Sequence, residues 1–266
     1  MLSTNPFSIL AETVSPIFMQ WFVIVMAILV VVGTLLDIIH KKNVKYFFEN
    51  AKKAKQSAKK KLTTREKTSV AIKTVASDIL TTSELGAGKR RVAHLLGMYG
   101  TLLFWFASVI MIFCYSSIDT VTPIIWPILW HVGAIMTCLG GFWFWLFLRV
   151  DVLAEAYPWY RIIKADLFVL ALLACSTFGL AWSYTQSLNL ENRWDDKVFL
   201  TLYILSNIAL FGGVYWSKFA HMIYKPGAAI QKNLAEADGS RDNLPPLADA
   251  PKQFGLGIKR EQPKHY

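Results

Sequence analysis

The chain holds few cysteines, and their spacing does not suit a metal. Cys114, Cys138 and Cys175 are its three. All lie inside apolar runs, and none stand at Cys-x-x-Cys spacing. They read as small packing residues, which excludes an iron–sulfur or zinc centre built from this chain alone. A glycine-rich phosphate or flavin loop is missing too, so no nucleotide or sulfur chemistry is expected here. Residues 1–17 contain no Lys or Arg. They lack the positive start of a secretory signal, and the apolar run that follows is too long for one. The segment is therefore expected to be mature, external protein. Inverted repeats, broken helices and intramembrane charge pairs are not visible in the sequence, which weighs against a transporter.

Apolar residues are abundant, at 54% of the chain, with 14% aromatic. They gather into runs long enough to span a bilayer. The spans expected are Phe18–Ile39, Val92–Tyr115, Ile124–Leu148, Asp166–Tyr184 and Val198–Ile223. The expected fold class is all-α: an integral membrane bundle of five transmembrane helices with a basic amphipathic insert and a disordered C-terminal tail. In domain terms this gives an external segment 1–17, a first span 18–40, a basic segment 41–91, a four-helix core 92–226 and a disordered tail 227–266. The tail holds too little apolar surface to fold alone.

Acidic residues are outnumbered, 18 against 28 basic ones, for a net charge of +10. Between 41 and 73 twelve Lys and Arg face only Glu49 and Glu66. The positive-inside rule puts such a segment on the cytoplasmic side, with the N-terminus periplasmic and the C-terminus cytoplasmic in a bacterial inner membrane. Val44, Phe47, Phe48 and Ala51 recur at helical spacing, as do Ile72, Val75, Ala76 and Ile79. An amphipathic helix on anionic lipid and a docking face for an acidic soluble partner both fit, the latter through Lys52, Lys53, Lys59 and Lys60. Nucleic acid is not expected as a partner.

Three histidines fall within the four-helix core. His94 opens the second expected span and His221 closes the fifth. Antiparallel helices set them at matched depth, the arrangement in which two imidazoles hold a haem b iron. Gly97, Gly100, Gly212 and Gly213 leave room beside them. Arg90, Arg91, Lys218 and Lys225 are near enough in sequence to meet propionates. Ordinary interfacial histidines fit the same positions. His131 lies deeper. It suits a second haem with Met111 opposite, a hydrogen bond to another helix, or a place near a quinone. His40, at the end of the first span, reads as an interfacial residue or a ligand. Arg149 with Asp151, or Lys164 with Asp166, could flank a quinone head or simply mark helix ends.

The closing Trp-Ser-Lys-Phe-Ala-His-Met-Ile-Tyr-Lys-Pro, with histidines on helices two and five, resembles the respiratory nitrate reductase gamma-subunit superfamily over residues 90–226. The insert Asn-Val-Lys-Tyr-Phe-Phe-Glu-Asn-Ala-Lys-Lys-Ala-Lys and the stretch Lys-Arg-Arg-Val-Ala-His-Leu-Leu-Gly-Met-Tyr-Gly most resemble one branch of it. That branch is the membrane anchor associated with dissimilatory adenylylsulfate reductase. The resemblance implies haem ligands at His94 and His221, and no outer pair, since Phe104 and Tyr203 stand where it would be. One haem at most carries over, or none. It also implies a soluble cytoplasmic iron–sulfur flavoprotein as partner and quinone as substrate. The function expected is an electron-transfer anchor between that partner and the quinone pool, with a purely structural anchor as the alternative.

Overall fold

The computed structural model describes residues 2–41, 43–85, 88–117, 119–149, 160–188, 194–217, 219, 221–240, 253–254 and 258–259. Nine α-helices carry the described fold: α1 (Pro6–Leu10), α2 (Pro16–Lys41), α3 (Asn43–Gln56), α4 (Thr64–Thr74), α5 (Lys89–Cys114), α6 (Ile125–Trp143), α7 (Leu167–Ser187), α8 (Trp194–Gly212) and α9 (His221–Ala237). Single π-helical turns extend α4 over Val75–Leu80 and α6 over Phe144–Leu148. Beyond 240, two-residue stretches at Gln253–Phe254 and Ile258–Lys259 pair antiparallel.

Four helical stretches are long and apolar enough to cross a membrane: Pro16–His40, Lys89–Cys114, Ile125–Leu148 and Leu167–Ser187. In lipid the hydrocarbon around a helix is as apolar as its side chains. Association therefore depends on close packing rather than on escape from water. The tightest seam, α5 on α6, shows this. A Cβ built on Gly133 would stand 2.5 Å from the Phe104 amide nitrogen, and one on Gly100 would stand 2.6 Å from that of Thr137. Gly140 meets Gly97 N at 2.6 Å in the same way. Glycines here let two backbones touch.

From α5 the chain folds up and down. α6 packs on α5, α7 on α6 and α8 on α7, while α2 bridges α8 and α5. One end of the bundle is tied by Asn5. Its Oδ1 caps α1 through Phe7 N–H at 3.0 Å, and its Nδ2 donates to Tyr115 O at 2.9 Å. Gln186 Nε2 reaches Pro6 O at 3.3 Å at the same end. At the opposite end α3, α4 and α9 gather, so the basic insert lies wholly on one face.

Two expectations about the last span change here. The expected single helix over 198–223 is broken. α8 starts early, with Asp195, Asp196 and Lys197 in its first turn, and stops at Gly212. Residues 213–217 form turns closed by Trp216 and Ser217 N–H on Gly213 O, at 3.1 and 2.9 Å. Adjacent glycines hold a helix weakly, and Gly213 lets this turn sit against Leu167, whose Cδ2 would be 2.9 Å from an added Cβ. α8 is thus shorter and more charged at its start than the expected span, and it is not among the four helices named above. It still runs beside α7, from Asp196 near Thr185 to Gly213 near Leu167.

The second change concerns the tail. Disorder was expected from 227, but α9 continues through Pro226 to Ala237. It is held by contact rather than by propensity. Asn233 Nδ2 donates to Thr74 Oγ1 at 2.8 Å and to Asp78 Oδ2 at 2.7 Å. The backbone N–H groups of Lys59 and Lys60 both donate to Asp238 O, at 3.0 and 3.1 Å. The insert and the segment after the last bundle helix therefore fold together as one helical cap.

Candidate functional site

Depth in a helix does not fix which neighbour a side chain meets. His94 occupies an exposed position on α5 beside Ala93, which is buried in the α5–α6 seam. His221 opens α9; its side chain, and residue Lys218, lie outside the described residues. α9 packs on α3, α4 and the π-helical turn, and shares no comparable seam with α5. Arg91 Nε donates to Thr81 O at 2.7 Å, and Tyr99 OH to Leu80 O at 2.7 Å, so the insert's end covers the first turns of α5. Arg90 is half-buried in the same turn. Gly100 is filled by α6, not by space for a macrocycle.

His131 takes the helix-to-helix role. It is fully buried, with Nδ1 at 2.7 Å from Pro127 O and Nε2 at 2.8 Å from Ser183 Oγ of α7. The carbonyl can only accept, so Nδ1 carries the proton and Nε2 accepts from the serine hydroxyl. Both ring nitrogens are used by these two bonds. Met111, also fully buried, sits in the same apolar core as Phe104 and Trp130.

Arg149 and Asp166 form a pair at 2.5 Å, with side chains 4% and 13% exposed. Arg149 also lies over the Trp145 ring at 4.2 Å. This pair joins the end of α6 to the start of α7. Sequence reasoning set Arg149 beside Asp151, which lies outside the described residues, and so missed the partner. His40 stacks edge-on against Tyr215 at 5.7 Å, with Nδ1 bonded to Leu36 O at 3.0 Å. Asp37, buried on the same helix, neighbours Tyr224 of α9. The end of α2 is thereby fixed to the broken segment and to the cap.

In the cap, Thr63 and Glu66 make a reciprocal capping box that starts α4. Lys60 Nζ lies 2.6 Å from Glu66 Oε1. The Lys60 hydrogen bond, with those from Thr63, lowers the Glu66 carboxyl to about 2. Burial pushes Asp78 up, but hydrogen bonds from Ser83, Asn233 and Ser77 outweigh it and leave the group below its ordinary value. Lys52, Lys53, Lys59 and Lys60 are all exposed. Of the four expected docking lysines, Lys60 already has an acidic partner within the cap.

One large cavity, about 930 Å³, opens between α2, α5 and α8. Sequence reasoning missed it, because it exists only where α2 stands away from α5 and α8. Among the described residues its wall carries no charged residue and no histidine. The polar groups on it are few: Ser108, Tyr203, Asn207 and the indoles of Trp105 and Trp182. Ser108 Oγ accepts from Trp130 Nε1 at 2.9 Å and donates to Phe104 O at 2.8 Å. The Tyr203 hydroxyl lies beside Asn207 and Ser108.

No protein-family model, no curated protein and no solved structure matches this chain.

Proposed function

We propose that this chain is a membrane anchor that holds a soluble cytoplasmic oxidoreductase against the bilayer and links it to the quinone pool. The observation that carries the reading is the cap. Twelve basic residues between 41 and 73 stand against two acidic ones, and α9 braces them into a folded surface at one end of the bundle. A charge imbalance this large on one face favours the cytoplasmic side of a bacterial inner membrane. It also favours an acidic partner or anionic lipid. α8 supplies the fifth crossing in this reading, with the N-terminus periplasmic. The partner is of the class the resemblance implies, an iron–sulfur flavoprotein like adenylylsulfate reductase.

The haem b that the resemblance implies would need His94 and His221 as ligands, with Arg90, Arg91 and Lys218 for the propionates. His131 is bonded to Pro127 O and Ser183 Oγ, which leaves His94 and His221 as the pair that the resemblance names. The His221 side chain and Lys218 lie outside the described residues, and no electron step is routed through the group. The anchor form of the reading stands without a haem.

The test is binding of the purified partner to the anchor in lipid nanodiscs. Reversing Lys52, Lys53, Lys59 and Lys60 to Glu should weaken binding at least tenfold, and salt should weaken the wild-type complex steeply. Equal affinity in the reversed variant would end the docking reading.

A further inference from the structure

We infer that the outer stripe of α4 and its π-helical turn is a headgroup site for anionic phospholipid, with Arg65 and Lys73 on the phosphate and Ile72 and Leu80 in the acyl layer beside it. The inference rests on the membrane-anchor reading above, and it divides the cap. This stripe faces lipid, while Lys52 and Lys53 on α3 and Lys59 and Lys60 on the loop after it are left to the soluble partner.

The stripe ends at a fixed level. Tyr99 OH of α5 donates to Leu80 O, and Arg91 Nε to Thr81 O, both at 2.7 Å. The turn therefore lies alongside the first three turns of α5, within a stretch apolar enough to span. Val92 and Tyr99, one above the other on those turns, are exposed, and so is Leu80, at 49%. The apolar end of the stripe continues the exposed side of a spanning helix, which in a bilayer faces lipid.

From there the stripe runs back along one side of the helix. Arg65, Thr68, Ile72, Val75 and Leu80 recur near helical spacing and are all exposed, Ile72 at 65%. On the other side Thr74 and Asp78 bind Asn233 of α9. The stripe is thus the side of α4 that the cap leaves uncovered. Single exposed apolar residues are ordinary. Three along one side, ending beside a spanning helix, mark a surface that meets something apolar.

The basic half carries the headgroup chemistry. A shallow groove of about 680 Å³ is lined by Thr64, Arg65, Thr68, Ser69, Ile72 and Lys73. Among the described residues its lining holds no carboxylate. Glu66, next to Arg65 in sequence, turns instead to Lys60 and Thr63. The Thr68 hydroxyl is engaged by Thr64 O at 3.0 Å, which leaves Thr64 and Ser69 to donate to a phosphate. A guanidinium fork and an ammonium flanking hydroxyls suit a phosphodiester. Both long stems can lie on apolar surface while their heads stay in the wet interface. Phosphate free in solution would use the groove but not Ile72, Val75 and Leu80. A soluble protein would have to reach Leu80 at a level that lipid holds.

The experiment uses the full chain in dodecylmaltoside, with Cys114, Cys138 and Cys175 replaced by serine and an environment-sensitive nitrobenzoxadiazole probe on Ile72→Cys. Phosphatidylglycerol, phosphatidylcholine and inorganic phosphate are titrated separately. Phosphatidylglycerol should shift the probe's emission to the blue and saturate, and the other two should not. Arg65→Gln and Lys73→Gln should each raise the midpoint roughly fivefold, the worth of one cation at an anionic lipid surface. Lys67→Gln, also exposed but outside the groove, should leave the midpoint unchanged. A probe on Phe48→Cys of α3 should stay silent. No shift with phosphatidylglycerol, or an equal one with phosphatidylcholine or inorganic phosphate, would overturn the proposal. So would a midpoint that Lys67→Gln moves as far as Arg65→Gln does, which is diffuse charge without a site. All five positions are exposed, so the variants keep the fold. No soluble partner is present and the docking lysines are untouched. Failure here therefore leaves the docking reading intact, and loss of docking leaves the lipid result intact.

Discussion

Replacing Asp166 by Asn should destabilise the bundle far more than a surface charge change would. The Arg149–Asp166 pair is separated by 2.5 Å with side chains only 4% and 13% exposed, so solvent screens it little. Asn keeps the shape and can still accept from Ile163 N–H, which now meets Asp166 Oδ2 at 3.0 Å. What is lost is the charge opposite a buried guanidinium. Removing one charge of a buried pair costs up to about 3–5 kcal/mol. For a chain of this size each kcal/mol moves the unfolding midpoint by roughly 2–4 °C, so at that cost a fall of about 6 °C or more is expected. Removing both charges, in Arg149→Met with Asp166→Asn, should recover most of the loss, because an apolar pair strands nothing. Differential scanning fluorimetry in detergent on the two single variants and the double variant measures all three terms. A single-variant loss below about 1 kcal/mol, the size of an exposed pair, would refute the burial argument. A double variant as unstable as the worse single variant would refute the coupling.

Gly133→Ala should cost about 2 kcal/mol or more, since its Cβ would meet backbone at 2.5 Å and backbone cannot rotate aside; the same fluorimetry reads it. His131→Leu should cost about 1–3 kcal/mol by stranding Ser183 Oγ, and adding Ser183→Ala should return part of it. The cap should loosen in acid. The Asp78 carboxyl is held below its ordinary 3.8 in the folded chain. Its stabilisation is therefore fully present above that pH and is lost as pH falls through the lower folded value. The same direction holds for Glu66, between 4.5 and about 2. Hydrogen exchange of the α9 amides, corrected for intrinsic rates, should show protection that persists at neutral pH and falls as pH drops below the ordinary carboxylate values. In Asp78→Asn the protection should already be reduced at neutral pH.

The sequence made the long apolar helices and the basic segment legible because both are local properties. Runs of apolar residues set the spans to within a few residues: Lys89–Cys114 and Leu167–Ser187 fall where hydropathy put them. The amphipathic spacing of Val44 to Ala51 becomes α3, and that of Ile72 to Ile79 ends α4 in its π-helical turn. What failed depends on neighbours. The packing of α9 on α3 and α4 was not legible in the sequence. The Gly212–Gly213 pair signals a break, but the apolar run around it hides the signal. Pro226 and the polar composition after it suggest disorder, yet Asn233 finds Thr74 and Asp78 more than 150 positions away. Of the glycines offered as room for a macrocycle, Gly100 serves the α5–α6 seam and Gly213 meets Leu167, while Gly97 and Gly212 have open space where a Cβ would stand. His131 was the one histidine for which a helix-to-helix hydrogen bond was among the expected readings, and it makes one. The cavity belongs to no single stretch of sequence.

The central claim is that the basic cap is the cytoplasmic face of a membrane anchor. The most direct measurement places a single cysteine at Lys52, in a chain whose Cys114, Cys138 and Cys175 are replaced by serine, and labels it with a membrane-impermeant maleimide. The account predicts labelling in inside-out inner-membrane vesicles and none in right-side-out ones. Labelling from the periplasmic side would put the cap out of reach of any cytoplasmic enzyme and would contradict the account.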